Sequence, residues 1–267
     1  MPLPSSPSGL RLADRMAGVV PNAIGELLKH GTDPSVISFA GGYPDASLFP
    51  VEGIRAVMDE LLDGRHNDAL QYTVSGRAAG APRAGRPTLK SLDTQGRVIH
   101  LGSFSKILAP GMRLGWAIAA PDILARLGLL KLAADTQCST LNMAAAAAFM
   151  ERYDIHAHID HMCGVYKRKR DLMLDSLEEH MPPGVTWTHP IGDLFTWLTL
   201  PDGFDASAFA RDQALPIAKV AYVPGATFFP VEQEPNHARV NFSGTTDANI
   251  TEGVRRLGTV LRKTLPG

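Results

Sequence analysis

The segment from Gly102 to Arg113 contains the residue types that covalent and phosphate chemistry needs. Within twelve residues it places two hydroxyls on Ser103 and Ser105, the amine of Lys106, a Pro-Gly turn and the arginine. Hydroxyls, turn amides and an arginine fork bind phosphate. A lysine beside a cation and an apolar wall has its neutral, nucleophilic form favoured, as Schiff-base chemistry requires. Judged by spacing alone, an exposed polar turn fits these residues equally well.

The longer run 102–116, Gly-Ser-Phe-Ser-Lys-x-x-x-Pro-Gly-x-Arg-x-Gly-Trp, resembles the cofactor-lysine motif of fold-type I pyridoxal-phosphate aminotransferases of class I/II. The subgroup it resembles contains the 2-aminoadipate and kynurenine aminotransferase-like enzymes. Further runs resemble the same family in the family's own order, at residues 37–50, 70–73, 92–99, 223–230 and 239–243. Together they cover nearly the whole chain except 77–87, and the sequence is therefore identified as a member of this family.

The resemblance assigns the cofactor, pyridoxal 5'-phosphate, to residues of the first motif. It implies that Lys106 is the catalytic residue, which binds the cofactor covalently and moves a proton between the substrate Cα and the cofactor. It implies that Ser103, Ser105 and Arg113 hold the cofactor phosphate. Tyr72 would reach the phosphate of the neighbouring subunit, because family active sites lie at the interface of a homodimer.

The resemblance also assigns substrate-binding roles. Arg239 would bind the α-carboxylate of the α-amino acid or 2-oxo acid in a bidentate pair, which orients the Cα–H bond. Gly42 would let the backbone approach the substrate closely. Taken alone, Arg239 is better explained as a solvated strand residue. The flanking Val-Asn-Phe-Ser, which resembles the family, favours the substrate-binding role.

The chain also lacks much of what the family has between the tyrosine motif and the lysine. Only residues 74–91 separate the two, where relatives have a glycine-rich phosphate loop, a ring-stacking aromatic residue, an Asn-Pro segment and an Asp-x-x-Tyr. The sequence has no Asn-Pro, and no tyrosine follows an aspartate by three residues. Since that aspartate keeps the cofactor ring protonated, we expect slow or absent transamination. We also expect exposed sheet edges and uncovered apolar surface.

Two departures from the family concern the substrate. Gly25 stands where some relatives use arginine to recognise an acidic side chain, so a preference for 2-aminoadipate is not implied. The family's Gly-Gly-Met-Phe turn is replaced by residues 192–195, Gly-Asp-Leu-Phe. Aromatic, branched-chain and acidic amino donors all remain open.

We expect an α/β fold, an internally shortened pyridoxal-phosphate transferase with a remnant large domain and a small α+β C-terminal domain. The expected parts are an N-terminal arm with helices (1–76), a low-complexity junction (77–88), the remnant of the large domain (89–150) and the small domain (151–267). Hydrophobic periodicity predicts helices over 21–31, 54–62, 121–148 with a break, 156–180 and from Asp247. It predicts strands over 35–40, 97–101, 114–119, 194–200, 217–223 and 238–242.

The composition and net charge of the chain exclude several classes of protein. The chain has 267 residues, of which 45% are hydrophobic and 20% charged, as in ordinary globular proteins. A net charge of -1 provides no basic excess for nucleic acid. Two cysteines make no disulfide framework. Neither a signal peptide nor an apolar run of membrane length is apparent, so we expect a cytoplasmic protein that binds neither membrane nor nucleic acid.

Two polar clusters have simpler explanations than a site. Residues 154–163 contain aspartates, three histidines and a cysteine, but no zinc-site spacing recurs. We interpret them as a solvated helix face and predict no metal. The basic run Lys167–Arg170 is likewise interpreted as a charged helix surface.

The sequence thus leaves two functions open. One is a pyridoxal-phosphate aminotransferase with a shortened large domain, acting on an α-amino acid and a 2-oxo acid. The other is a non-catalytic dimerising remnant, or the product of a deletion or faulty gene model.

Overall fold

A computed structural model describes residues 33–64, 88–135, 137–229, 231 and 234–265. The chain divides into two compact units, which we call the central unit, residues 46–162, and the terminal unit, residues 1–45 with 163–267. The predicted helix over 21–31, Tyr72 and the junction 77–87 lie outside the described residues. The four-part domain division therefore stays a prediction.

The central unit packs helices against a two-stranded hairpin. Its elements are α1 (Val51–Gly64), β2 (His100–Ser103), β3 (Gly115–Ile118), α2 (Pro121–Asp135), α3 (Thr140–Arg152) and the first turns of α4 (Ile155–His180). The predicted helices over 54–62 and 121–148, the latter with its break, are confirmed. Strands β2 and β3 are antiparallel. Strand β3 lies within the predicted 114–119, whereas β2 begins at His100, later than the predicted 97–101, and continues to Ser103.

Helix α1 shows why this unit folds. Its apolar residues recur at helical spacing, and Val57 and Leu61 are buried against Phe149 of α3 and against the hairpin. Ile54 and Met58 pack at the edge of the same cluster. Leu62 was predicted to belong to this stripe, which is wrong, because its side chain is 42% exposed.

The expected uncovered apolar surface is present in the described part of the central unit. Helix α2 has no buried residue, although leucines occur on all its sides. Leu129 and Leu130 are 69% and 66% exposed, and Leu101 on β2 is 74% exposed. A helix that is apolar all round is normally covered, so this surface is one that a complete domain would bury.

The terminal unit is an α+β layer. Its elements are β1 (Ile37–Ser38), the rest of α4, β4 (Thr186–Trp187), β5 (Phe195–Thr199), α5 (Ala206–Phe209), β6 (Val220–Ala221), β7 (Val223–Pro224), β8 (His237–Asn241) and α6 (Asp247–Thr264). The sheet order is β4-β5-β8-β7, all antiparallel, and β1 pairs with β6 in parallel.

The core of the terminal unit lies between the sheet, α4 and α6. The predicted stripe of α6 is confirmed, since Ile250, Val254, Leu257 and Leu261 are all at most 2% exposed. Thr246 caps the helix by accepting a hydrogen bond from the Asn249 amide. The predicted strand over 217–223 is partly wrong, because residues 210–218 form a π-helical segment and the strands begin at Val220.

A buried lysine joins three segments of the terminal unit. Lys169 on α4 is 4% exposed. Its Nζ donates to Asp45 Oδ2 at 2.5 Å, to Thr245 O at 2.7 Å and to Ser243 O at 3.2 Å. The prediction that this basic run is a solvated surface is therefore wrong for Lys169. Its ammonium is needed inside, where an aspartate and two carbonyls replace water.

Replacing Lys169 by methionine removes the cation and leaves Asp45, whose side chain is 20% exposed, without it. Removing one partner of a buried ion pair lowers the stability of the fold by about 3 kcal/mol. We expect the free energy of unfolding from urea titration to fall by about that amount in K169M.

Lys167, two residues earlier on the same helix, provides the matched control. Its ion pair with Asp171 is exposed, with side-chain exposures of 69% and 40%, and such pairs contribute about 0.5 kcal/mol or less. Equal losses in K169M and K167M would contradict a buried network.

Candidate functional site

The lysine segment of the central unit is a folded turn between two strands. Ser103 pairs with Gly115 at the end of the hairpin, and the Phe104 amide donates to Leu114 O at 3.1 Å. Two short 3-10 turns follow, Phe104–Lys106 and Pro110–Met112. The motif runs from β2 through these two turns into the paired strand β3, so its two ends lie together.

Three apolar residues fasten this turn to the core. Phe104, Leu108 and Met112, spaced four residues apart, are each at most 7% exposed and pack in the cluster with α1 and α3. Asn142 of α3 donates from Nδ2 to Met112 O at 3.1 Å. The apolar residues of the turn are therefore anchored in the core of the central unit, and its polar residues lie at the surface.

The polar residues of the predicted cofactor site lie on that surface. Ser103 Oγ accepts a hydrogen bond from the Ser105 amide at 3.1 Å. Arg113 adopts a left-handed backbone, φ 54°, and its Nη1 donates to Pro110 O at 3.3 Å. Ser103, Lys106 and Arg113 are all exposed. The hairpin thus presents two hydroxyls, an ammonium and a guanidinium on one turn.

Gly102 allows the hairpin to close over its aromatic residue. A Cβ at this position would lie 2.1 Å from the Trp116 ring. That ring also contacts Phe104, with ring centroids 4.9 Å apart. A glycine directly before Ser103 is therefore required by packing, in addition to any functional role.

In the terminal unit, Arg239 lies between two aromatic rings. Its guanidinium carbon is 4.1 Å from the centroid of Phe195 and 4.6 Å from that of Phe228. Phe195 comes from β5, and Phe228 ends the 3-10 turn that follows β7. Trp197, opposite Arg239 in the sheet, contacts Phe228 edge to face. Both rings thus make cation–π contacts with the guanidinium, and we call this arrangement the aromatic clamp.

The clamp leaves the arginine partly desolvated. Arg239 Nε is buried and has no hydrogen-bond partner among the described residues. Burial lowers the pKa of the guanidinium, and the nearby negative charge of Asp193 opposes that effect. Arginine nevertheless stays protonated in proteins. A protonated guanidinium is a bidentate partner for a carboxylate, and the Arg239 side chain as a whole is half-buried rather than enclosed.

Packing within the same unit requires a glycine at position 42. A Cβ there would lie 2.7 Å from Phe195 Cζ. The space that a side chain would take is occupied by the ring that covers Arg239. The absence of a side chain at Gly42 is thus linked directly to the clamp.

Sequence reasoning named Arg239 and Gly42 but missed the residues that connect them. Phe195 and Phe228 lie in runs that resemble the family, yet neither was given a role, because stacking on a guanidinium depends on contacts between strands. The available signal was the alternation on β8, where Arg239 shares one face of the strand with His237 and Asn241. Across the described chain, no three His, Cys, Asp or Glu side chains form a group that could hold a metal ion.

Comparison with known proteins places the chain in a family. Residues 66–257 match the family described as aminotransferase class I and II. An aromatic-amino-acid aminotransferase 1 from Thermococcus litoralis is 41% identical over 176 residues, which are 66% of this chain and 42% of that relative. A 2-aminoadipate transaminase from Thermus thermophilus is 36% identical over 165 residues, 62% of this chain and 41% of that relative. The chain spans about two fifths of the length of these curated relatives.

A solved structure shares the fold. The structure of LysN, an alpha-aminoadipate aminotransferase from Thermus thermophilus complexed with N-(5'-phosphopyridoxyl)-L-leucine, matches with a TM-score of 0.81. The match covers 91% of this chain and 95% of that one, at 23% identity. At this identity the likeness shows the fold, which is of the predicted α/β class. No described helix is long and apolar enough to cross a membrane.

The variant G42A tests the link between Gly42 and the clamp. Its methyl group must displace the Phe195 ring, since the two carbon atoms would be 2.7 Å apart. Overpacking of this kind costs about 1–3 kcal/mol. We expect a loss of that size in the free energy of unfolding and, in a crystal structure, a Phe195 ring displaced from Arg239.

Gly192→Ala is the control, because a Cβ at Gly192 meets nothing within 4 Å. It should leave stability unchanged or slightly higher. An unmoved Phe195 in G42A, with wild-type stability, would show that the packing argument is wrong.

Proposed function

The chain belongs to the aminotransferases of class I and II, and we propose on that basis that it transfers an amino group from an α-amino acid to a 2-oxo acid with pyridoxal phosphate as cofactor. The predicted family and the shortened transferase fold are confirmed. The activity, substrates and partners of the whole relatives are proposals for this chain, which spans about two fifths of their length.

The turn between β2 and β3 is the observation that carries this proposal. Its apolar residues fix the backbone in the core, while Ser103, Ser105, Lys106 and Arg113 stay at or near the surface of one short loop. Hydroxyls and a guanidinium are donors for a phosphate monoester, and a lysine amine is the group that joins an aldehyde. The donor set therefore fits the phosphate and aldehyde ends of pyridoxal phosphate. The phosphopyridoxyl group in the matched LysN structure supports the same cofactor.

We assign the residues of the turn as follows. Ser103, Ser105 and Arg113 hold the phosphate, and the Arg113 fork supplies the charge that balances it. Lys106 binds the cofactor through its Nζ. Pyridoxal phosphate supplies, when bound, an aldehyde for amines and a ring that accepts the electron pair of the broken Cα–H bond. With pyridoxal phosphate bound, the Lys106 amine would be the base that moves a proton between the substrate Cα and the cofactor.

We assign substrate binding to the terminal unit. Arg239 binds the α-carboxylate through its guanidinium, which contacts the rings of Phe195 and Phe228. Because the ring contacts restrict the Arg239 side chain before substrate arrives, less side-chain entropy is lost on binding. Because Gly42 has no side chain, the Phe195 ring has room to pack and the substrate can approach the backbone.

Assembly and location follow the family. We propose a homodimer, in which Tyr72 reaches the phosphate of the neighbouring subunit. The exposed leucines of α2 and Leu101 support association, because apolar surface of that extent favours burial. We propose a cytoplasmic location for the protein.

Substitution of Lys106 tests the cofactor assignment. The full chain incubated with pyridoxal phosphate should develop the visible absorption band of the lysine-bound cofactor, and K106A should not, because the joining amine is removed. Borohydride reduction followed by peptide mass mapping should locate the phosphopyridoxyl group on residue 106. Lys131→Ala, on α2 and paired with Asp135, is the control and should keep the band.

Turnover distinguishes the two functions. With glutamate or leucine and a 2-oxo acid, an aminotransferase forms product in the wild type and none in K106A. A band without product would identify a cofactor-binding remnant. A band of wild-type intensity in K106A would overturn the assignment of Lys106.

A further inference from the structure

His237 is a buried histidine on the same strand face as Arg239. It precedes Arg239 by two residues on β8, so both side chains leave the strand on one side. Only 8% of the residue is exposed. A buried polar ring needs hydrogen-bond partners, and those of His237 come from β5 and from Glu234, just before β8.

The partners of the two ring nitrogens determine where the proton of His237 lies. Trp197 Nε1 donates to Nδ1 at 3.2 Å, and Thr199 Oγ1 lies 3.1 Å from the same nitrogen. An indole N–H can only donate, so Nδ1 is the acceptor and carries no proton. The N–H of the neutral ring is therefore on Nε2, which donates to Glu234 Oε2 at 2.7 Å.

The indole of Trp197 connects this histidine to the aromatic clamp. Trp197 lies opposite Arg239 in the sheet. The centroid of its ring is 5.5 Å from that of His237 and 5.7 Å from that of Phe228. The Phe228 centroid in turn lies 4.6 Å from the guanidinium carbon of Arg239. Every step from the histidine to the guanidinium is thus a direct contact.

The turn that carries Phe228 packs on the same two residues. It begins at Gly225, where a Cβ would overlap His237 Cβ and would lie 2.9 Å from Trp197 Cζ2. Phe229, directly after the turn, stacks on the His237 ring with centroids 5.5 Å apart. The place of Phe228 therefore depends on where His237 and Trp197 lie.

Trp197 differs from the other two tryptophans of the chain in having an acceptor. Trp116 Nε1 and Trp187 Nε1 are buried without a hydrogen-bond partner among the described residues. Burial by itself therefore does not bring an acceptor to an indole in this protein, whereas His237 Nδ1 meets that of Trp197. The bond restricts the rotation of an indole that contacts a ring of the clamp.

We propose that His237 is a positioning residue of the substrate-carboxylate site, which acts through Nδ1 on Trp197 and through Trp197 on Phe228. The proposal rests on the proposed function, because it takes Arg239 as the group that binds the α-carboxylate. With its acceptor in place, Trp197 keeps Phe228 against the guanidinium, so less reorganisation is needed when a carboxylate binds. Without the acceptor, the indole donor is left unsatisfied, and turning it towards water moves the ring that contacts Phe228.

Two substitutions separate the roles of the two ring nitrogens. Asparagine places its amide oxygen near the position of Nδ1, so H237N keeps an acceptor for Trp197 and loses the contact with Glu234. Glutamine reaches the position of Nε2, so H237Q keeps a partner for Glu234 and loses the acceptor at Nδ1. If His237 acts through Nδ1, only H237Q is impaired, whereas a packing role would impair both variants alike.

The experiment is titration calorimetry of the full chain with 3-phenylpropionate, a carboxylate without an amine. H237Q should bind this acid about fivefold more weakly than the wild type, and H237N within about twofold of it, since one net hydrogen bond is at stake. W197F should also lose affinity, and adding H237Q to W197F should lose nothing further, because the two residues act in one chain of contacts. The control is H189Q, at an exposed histidine of the same unit, which should bind as the wild type does.

The indole N–H of Trp197 reports the same bond without any ligand. Its resonance in a proton–nitrogen spectrum is identified by its loss in W197F, while W187F should retain it. Exchange of this proton with water should be slow in the wild type and in H237N, and faster in H237Q. Fast exchange in the wild type itself would overturn the inference without any substitution of His237.

The affinities distinguish failure of the inference from failure of the proposed function. R239Q should abolish binding of the acid. An H237Q variant that binds as tightly as the wild type overturns the role of His237 and leaves the proposed function standing, as does a loss in H237N that equals or exceeds that in H237Q. No binding by the wild type, or binding by R239Q at wild-type affinity, overturns the proposed role of Arg239, and the inference with it.

Discussion

The candidate site of the terminal unit depends on keeping the Arg239 guanidinium charged while it is partly buried. Taking Arg239 out of water is costly, and its Nε has no partner among the described residues. Phe195 and Phe228 compensate through cation–π contacts with the guanidinium. The compensation is electrostatic as well as apolar, because ring faces are negative and the guanidinium is weakly hydrated. The ring contacts therefore restrict the guanidinium before any ligand binds.

The clamp requires support from segments far apart in sequence. Phe195 fits only because Gly42 lacks a side chain. The segment that carries Gly42 is held by β1 pairing with β6, by Ser243 Oγ donating to Tyr43 O at 2.7 Å, and by the Lys169–Asp45 pair. The buried Lys169 of α4 thus holds Asp45, three residues after Gly42, although 124 residues separate the bonded pair along the chain. The site is in this sense a property of the whole terminal unit.

Sequence patterns predicted helices and strands well where a single hydrophobic periodicity dominates a segment. The stripe of α6 follows from apolar spacing, and the polar residues of the lysine turn were named from a motif that is local in sequence. Leu62, Lys169 and the segment before Val220 were predicted wrongly, because their burial or backbone depends on packing between distant segments. For the same reason, the sequence indicated Arg239 but not its aromatic partners, whose contacts exist only once β5, β8 and the turn after β7 are assembled.

Nuclear magnetic resonance of the Arg239 Nε–H group tests the clamp most directly. In the full chain without ligand, the ring currents of Phe195 and Phe228 should displace this proton resonance upfield, and burial should slow its exchange with water relative to the exposed Arg126. Addition of 3-phenylpropionate should then shift it as the carboxylate binds to the guanidinium. A resonance at the position and exchange rate of Arg126, unmoved by the acid, would contradict a preorganised carboxylate receptor.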